Sequence, residues 1–207
     1  MDRMIQAVFF DFDGVLSPAK TGTGFTCEFL ARETGIPYDT LRAAFEPYRL
    51  PLARGQATRD ETWPLVCRAA GRDIPRELLA RSFEATPLDA AMFAYANSLG
   101  RHGRVGIVTD NPKDRMDVAR RTLWLDRVFD PIVVSAEVGC GKDDPRIFEM
   151  ALAAARVTPQ AAVFVDNSRE NVEVARSIGM HGLFFDDEKR DLATLARELL
   201  ILGVAPQ

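Results

Sequence analysis

The sequence predicts an α/β protein: a doubly wound, parallel, five-stranded sheet core with an inserted α-helical cap. Three observations carry that expectation. Short apolar runs recur along the chain, and several end in carboxylate residues. From residue 104 onward these runs alternate with helix-like stretches. Between the first run and the second lie about ninety residues with no convincing strand.

Residues 6–12 (QAVFFDF) form the first run, with the pattern of a buried parallel strand whose end meets a site. Residues 104–109 (RVGIVT), 131–134 (PIVV), 161–166 (AAVFVD) and the shorter 182–185 (GLFF) supply four more. Helices are expected between them. Residues 112–123 open with Asn111 as N-cap and Pro112 at the first helical position. Residues 145–155 begin in the same way with Asp144 and Pro145. Ser168 caps a helix over 168–177, which stops at Gly179. Leucines at 192, 195, 199 and 202 mark a final amphipathic helix over 191–202.

The insertion reads as short helices over 28–34, 39–48, 60–70 and 75–83, divided by Gly, Pro and Asp signals. A longer helix over 87–100 leads back to the core. The expected organisation is therefore an α/β core of residues 1–17 and 86–207, with residues 18–85 as helical cap.

Composition narrows the function classes. Of 207 residues 47% are hydrophobic, ordinary for a folded globular protein, and the formal net charge is −4. Nothing in that balance attracts nucleic acid or an anionic membrane, although one pocket can still be basic. No apolar run approaches the roughly 20 residues that span a bilayer. The start lacks the apolar stretch of a signal peptide. Cys27, Cys67 and Cys140 are widely spaced, with no CxxC pair, so neither a disulfide framework nor a zinc site is expected. The default location is the cytoplasm.

In an open parallel sheet, ligands gather beyond the carboxyl ends of the strands, where the strand order reverses. The strand ends here carry Asp11-Phe12-Asp13-Gly14, Thr109-Asp110-Asn111, Gly141-Lys142 and Asp166-Asn167. An acidic pair, a hydroxyl with following amides, a lone cation and a further acid suit metal-assisted attack on phosphorus. Asp11 can attack as a carboxylate nucleophile, splitting hydrolysis into two easier steps. Magnesium takes hard oxygen ligands and keeps several waters, so the carboxylates of Asp11 and Asp166 and the backbone carbonyl of Asp13 suffice. The carboxyl of Asp13 is then free to protonate the leaving oxygen and later to deprotonate water. Thr109, the amide of Asp110 and Asn111 can hold phosphate oxygens, and Lys142 adds a compact positive charge.

The segments DFDGVL, VTDN, GKDDPRIF and FVDNSRENVEVARSIGM resemble, in order, the four signature motifs of the haloacid dehalogenase-like hydrolase superfamily. The insertion resembles the small helical cap of one of its subclasses. The resemblance implies Asp11 as nucleophile, Asp13 as acid/base, Thr109 and Lys142 as phosphate holders, and Asp166 as magnesium ligand. Members that remove halide typically lack the second Asp of the first motif, so the resemblance implies phosphate chemistry. Two positions depart from the pattern. Asp143 follows Lys142 where Pro is usual, and is positioned to screen it. Asn167 follows Asp166 where a second acid is common; it can meet a metal-bound water but brings no charge. Glu170 would supply that charge if its side chain turned inward.

The other polar residues read more plainly. Asp186-Asp187-Glu188 is expected to be a solvated loop, Cys140 an inert thiol, and His102 and His181 loop residues. Trp63 is expected to pack in the cap and Trp124 against the core. Among Lys20, Arg49, Arg54 and Gln56, Arg49 and Arg54 rank first as residues contacting substrate, and Gly55 suggests a tight loop facing the site. The expected activity is magnesium-dependent hydrolysis of a small phosphomonoester. A phosphomutase on a sugar phosphate, a dehalogenase and a non-catalytic binder of phosphorylated ligands are the alternatives.

Overall fold

The computed structural model describes residues 4–100 and 103–205. Its element order is β1 (Ala7–Phe10), α1 (Gly22–Thr34), α2 (Tyr38–Ala53), α3 (Arg59–Ala69), α4 (Arg76–Glu84), α5 (Ala90–Leu99), β2 (Arg104–Thr109), α6 (Lys113–Leu123), β3 (Ile132–Val134), α7 (Ser135–Val138), α8 (Pro145–Ala155), β4 (Ala162–Asp166), α9 (Arg169–Ser177), β5 (His181–Phe184) and α10 (Leu192–Ile201). The five strands form one sheet in the order β3-β2-β1-β4-β5, parallel throughout. The chain winds outward from β1 through β2 to β3. It then crosses back to β4 and β5 on the other side.

Both faces of the sheet are covered, which explains why its strands read as unbroken apolar runs. Val8 and Phe10 face one layer, with Met92 and Ala96 of α5, Met116 and Ala119 of α6 and Leu195 and Leu199 of α10. Ala7 and Phe9 face the other, with Ile147, Phe148 and Ala151 of α8 and Ala175 of α9. Phe148 meets Phe164 edge to face, their centroids 4.8 Å apart.

Helices α1 to α4 pack around a hydrophobic cluster of their own, including Phe29, Leu30, Leu41, Phe45, Trp63 and Phe83. Trp63 Nε1 donates to the Ile74 carbonyl at 3.2 Å, so the indole is buried as expected with its polar atom satisfied. Thr21 caps α1 through Gly24 N, and Thr58 with Glu61 forms a capping box on α3. Two helices are longer than the sequence suggests. α1 begins at Gly22, six residues before the expected start at 28. α2 runs through Pro47 and Pro51 to Ala53, because the apolar face of Leu41, Ala44, Phe45 and Leu52 is buried and holds the helix across both prolines.

Four local expectations need correction. Trp124 is 59% exposed; it sits at φ 55 as the C-cap of α6, where the turn carries its ring outward beneath the Arg127 guanidinium. Asn111 is not the cap of α6, since Pro112 holds that position and no side chain caps the helix. His181 lies in β5 rather than in a loop, and His102 lies outside the described residues. Gly55 does not face the site. At φ +65 it packs on the Ala136 carbonyl, where helices α2 and α7 meet.

Candidate active site

The sequence reverses direction across the sheet between β1 and β4, and the predicted stations converge there. The Asp11 amide donates to the Val165 carbonyl at 2.9 Å, which fixes Asp11 over the crevice. Beyond it the chain bends back: Ser17 N donates to Phe12 O and Gly14 N to Ala19 O, each at 2.8 Å. Gly14 adopts φ +82, and a Cβ there would collide with the Asn167 side chain. Glycine is thus required on two counts, and the bend turns Asp11 and Asp13 toward one cavity.

Asp11 is 6% exposed. Its Oδ1 accepts from the Phe12 amide at 2.7 Å, and its Oδ2 pairs with Lys142 Nζ at 2.7 Å. The same Nζ reaches Asp166 Oδ2 at 2.7 Å. Asp166 is fully buried and also accepts from Ser168 N at 2.7 Å and Asn171 Nδ2 at 3.1 Å. Burial pushes the Asp11 carboxyl up to about 8, with Asp166 and Asp13 adding to the rise and Lys142 opposing it. For Lys142, burial favours the neutral amine, but Asp11, Asp166 and Asp110 outweigh it and hold the ammonium above its ordinary range. The Asp110 carboxylate accepts from the Lys142 amide at 3.0 Å, so it also fixes the lysine backbone.

Asp13 sits in a different setting. Arg115 grips it with two parallel bonds, Nη1 to Oδ2 and Nη2 to Oδ1, each 2.8 Å. Asn111 Nδ2 donates to Asp13 Oδ2 at 3.0 Å and to Thr109 Oγ1 at 2.8 Å, and Asn111 Oδ1 accepts from Arg115 at 2.6 Å. Thr109, Asn111, Asp13 and Arg115 are all buried. Arg115 was missed in the sequence reading. Its partner Asp13 lies 102 positions away, so no local signal marks it.

The two departures from the motif pattern have partners. Asp143 takes Arg54 Nη2 on both carboxylate oxygens, at 2.8 and 2.6 Å. Asn167 donates to Asp187 Oδ2 at 3.2 Å. Glu170 stays exposed on the cavity rim, bonded to Ser168 Oγ at 2.8 Å; Asn171 takes the place beside Asp166 instead. Asp186 accepts from the Glu188 and Lys189 amides, as a loop residue would. Cys140 is a free buried thiol whose pKa burial raises, in keeping with an inert role.

The site opens into a cavity of about 710 Å³ between the α1–α4 layer and the sheet's carboxyl edge. Lys20, Arg49 and Arg54 line it, whereas Gln56 is exposed outside it.

A family model described as haloacid dehalogenase-like hydrolase matches residues 5–179. The chain belongs to that family. Among its relatives, bifunctional epoxide hydrolase 2 of Rattus norvegicus is 30% identical over 220 residues, covering 94% of this chain. The chain spans only 38% of that protein's length. The phosphorylated carbohydrates phosphatase of Thermotoga maritima is 30% identical over 186 residues, covering 87% of this chain and 84% of its own. In fold, the haloacid dehalogenase family enzyme BT-2542 of Bacteroides thetaiotaomicron, crystallised as a magnesium complex, superposes with a TM-score of 0.77 at 18% identity, over 93% of this chain and 98% of its own.

The site of this haloacid dehalogenase-like hydrolase suits a magnesium ion by its donor chemistry. Among the described residues no cluster of three or more His, Cys, Asp or Glu side chains converges as a metal cage. Magnesium does not need one, since waters complete its shell. Asp11 and Asp166 offer carboxylate oxygens, and the carbonyl oxygen of Asp13 accepts no hydrogen bond from the described residues. Arg115 is committed to Asp13, so Asp11 and Asp166 share one ammonium between them. Burial is the main cause of the raised Asp11 pKa, and the neighbouring carboxylates of Asp166 and Asp13 add to it.

Proposed function

We propose that the chain is a magnesium-dependent phosphatase of small phosphomonoesters, working through an aspartyl-phosphate on Asp11. The observation that carries this reading is the division of labour within one bend. Asp11 shares Lys142 with Asp166, while Asp13, two residues on, is locked by Arg115 and Asn111. One carboxylate beside a cation, with a second held in a fixed orientation two residues on, is the geometry that a nucleophile and an acid/base require.

In this mechanism an Asp11 oxygen bonds to phosphorus as the bond from phosphorus to the ester oxygen breaks. Asp13 gives its proton to the departing oxygen. The same Asp13 then takes a proton from water, whose oxygen attacks phosphorus and frees Asp11 and inorganic phosphate. Thr109 and the amide of Asp110 orient the phosphate oxygens, Lys142 offsets their charge, and Asn111, expected to contact phosphate, instead holds Thr109 and Asp13 in place. Asp11, the Asp13 carbonyl and Asp166 would hold magnesium, with Asn167 contacting its water. When bound, the ion supplies the positive charge that three carboxylates and a phosphate lack. Residues 18–85 act as the cap that excludes water, on a core of residues 1–17 and 86–207. Three free buried thiols support placing the protein in a reducing cytoplasm.

The magnesium complex of BT-2542 and the phosphatase name of the Thermotoga relative support the same reading. The test is phosphate release from a panel of small phosphomonoesters, with and without magnesium, in the wild type and in Asp11→Asn. Magnesium-dependent release that disappears in the variant is expected. An isomerised ester without free phosphate would make the protein a mutase. Failure to turn over any ester would remove the phosphatase reading.

A further inference from the structure

We infer that Arg59 forms a second anion-binding subsite, and that the substrate is a phosphomonoester whose leaving alcohol carries another anionic group, a carboxylate or a second phosphate. This rests on the phosphatase reading for the position of the scissile phosphate.

Arg59 is the first residue of α3 and is 7% exposed. Burying a guanidinium this far is costly unless its donors are used. Its Nε donates to Asp114 Oδ2 at 3.0 Å. Its two terminal nitrogens have no acceptor among the described residues, and Arg59 lines the cavity. Phe45 and Phe83 flank the guanidinium, with ring centroids 5.9 and 5.7 Å from Cζ, and both line the same cavity. The rings and the Asp114 bond hold the fork still while its outer edge stays unpaired. A fixed guanidinium edge of that kind matches a carboxylate or phosphate bidentately.

The placement relative to the reaction is set by adjacent residues on α6. Asp114 anchors Arg59, and Arg115 grips Asp13, the proposed donor of a proton to the leaving oxygen. Arg59 therefore lies on the leaving-group side of the cavity. The surrounding wall from residues 20–59 is rich in cations: Lys20, Arg42, Arg49, Arg54 and Arg59 line the cavity with Glu46, although Asp143 pairs with Arg54 and Glu188 with Lys20. Glu46 is shared by Arg42 at 3.7 Å and Arg49 at 3.3 Å. At about 710 Å³ the cavity accommodates far more than a phosphate group.

The test compares ligands that differ only in the distal group. Phosphonoacetate and methylphosphonate are titrated calorimetrically, with magnesium, into the wild type, Arg59→Gln and Arg59→Lys. Turnover is measured in parallel for 3-phosphoglycerate, fructose 1,6-bisphosphate and their counterparts without the second anionic group, glycerol 3-phosphate and fructose 1-phosphate. In the wild type the acid-bearing ligand is expected to bind at least roughly tenfold more tightly, the yield of one charge-assisted hydrogen-bonded pair. That ratio should fall toward one in Arg59→Gln and be partly kept in Arg59→Lys. Which of the two charged esters gains more tells carboxylate from phosphate. A wild type without discrimination, or a ratio that survives in a folded Arg59→Gln, overturns the inference. Discrimination in binding without turnover of any ester would instead remove the phosphatase reading and leave the subsite standing.

Discussion

Replacing Arg115 by Met tests whether the grip on Asp13 is part of the chemistry. The two side chains are 3% and 11% exposed, and the guanidinium meets both carboxylate oxygens at 2.8 Å. Methionine keeps the apolar stem beside Phe12 but leaves Asp13 with a single donor, Asn111 Nδ2. Breaking a buried pair from one side costs about 3–5 kcal/mol. At roughly 2–4 °C per kcal/mol for a chain of this size, the melting temperature should fall by about 6–20 °C. Adding Asp13→Asn should return part of that loss, because the stranded charge is gone. Activity reports the second half of the argument. An alkyl phosphate needs its leaving oxygen protonated, whereas p-nitrophenyl phosphate does not. General acid catalysis contributes about 10²–10⁴-fold, so an Asp13 left free to swing should lower the alkyl-to-aryl ratio of kcat by tenfold or more. An unchanged ratio in a folded Arg115→Met protein would refute the positioning role, and an unchanged melting temperature would refute the energetic one.

Three further outcomes follow from the same geometry. Asp11 titrates near 3.8 in the unfolded chain and is pushed up to about 8 in the fold, so the folded state binds its proton more tightly. In EDTA, the Asp11 contribution to stability should be present below about pH 4 and lost as pH rises through 8; urea melts of Asp11→Asn should show a shallower decline over that window, and parallel declines would contradict it. Asn167→Asp sets a carboxylate against Asp187, now 3.2 Å from the Asn167 amide. The variant should melt lower than wild type without magnesium and gain more on its addition, as read by calorimetry with and without the ion. Gly55→Val combines a left-handed backbone with a collision against the Ala136 carbonyl. It should cost about 1–3 kcal/mol in denaturant melts and raise KM, since α2 and α7 can no longer meet there.

What the sequence disclosed was local. The strands were legible because burial on both faces makes them continuous apolar runs, and the stations were legible because chemistry collects at their ends. The residues that escaped are those whose partners lie far along the chain. Arg115 meets Asp13 across 102 positions, and Arg190 ties Asp89 to the carbonyls of Gly14 and Val15 across 101, 176 and 175. No spacing rule announces such pairs. Arg59 is harder still: it follows an N-cap threonine, and its burial depends on Phe45, Phe83 and Asp114, which other helices bring to it. Local signals also misled where tertiary contacts overruled them. The expected helix over 39–48 stops short of Pro51, yet the buried face of α2 holds the helix on through it to Ala53.

The two departures from the motif pattern change meaning once their partners are known. Taken locally, Asp143 beside Lys142 and Asn167 beside Asp166 suggest a site losing its charges, as a non-catalytic relative would. In the fold each departure belongs to a contact between distant segments. Asp143 holds Arg54, at the end of α2, at the cavity rim 89 positions away, where a proline would have offered nothing. Asn167 holds Asp187, whose side chain is 12% exposed, so an acid still stands beside the fourth motif although it arrives from the segment after β5. A decaying site is expected to lose partners without replacing them. Here every altered residue has gained one, and Asp11, Asp13, Thr109, Lys142 and Asp166 all remain buried and bonded. Consistency between the changed positions and the surrounding fold supports the proposed phosphatase, with the α1–α4 layer fastened at the third motif, over a binding relic.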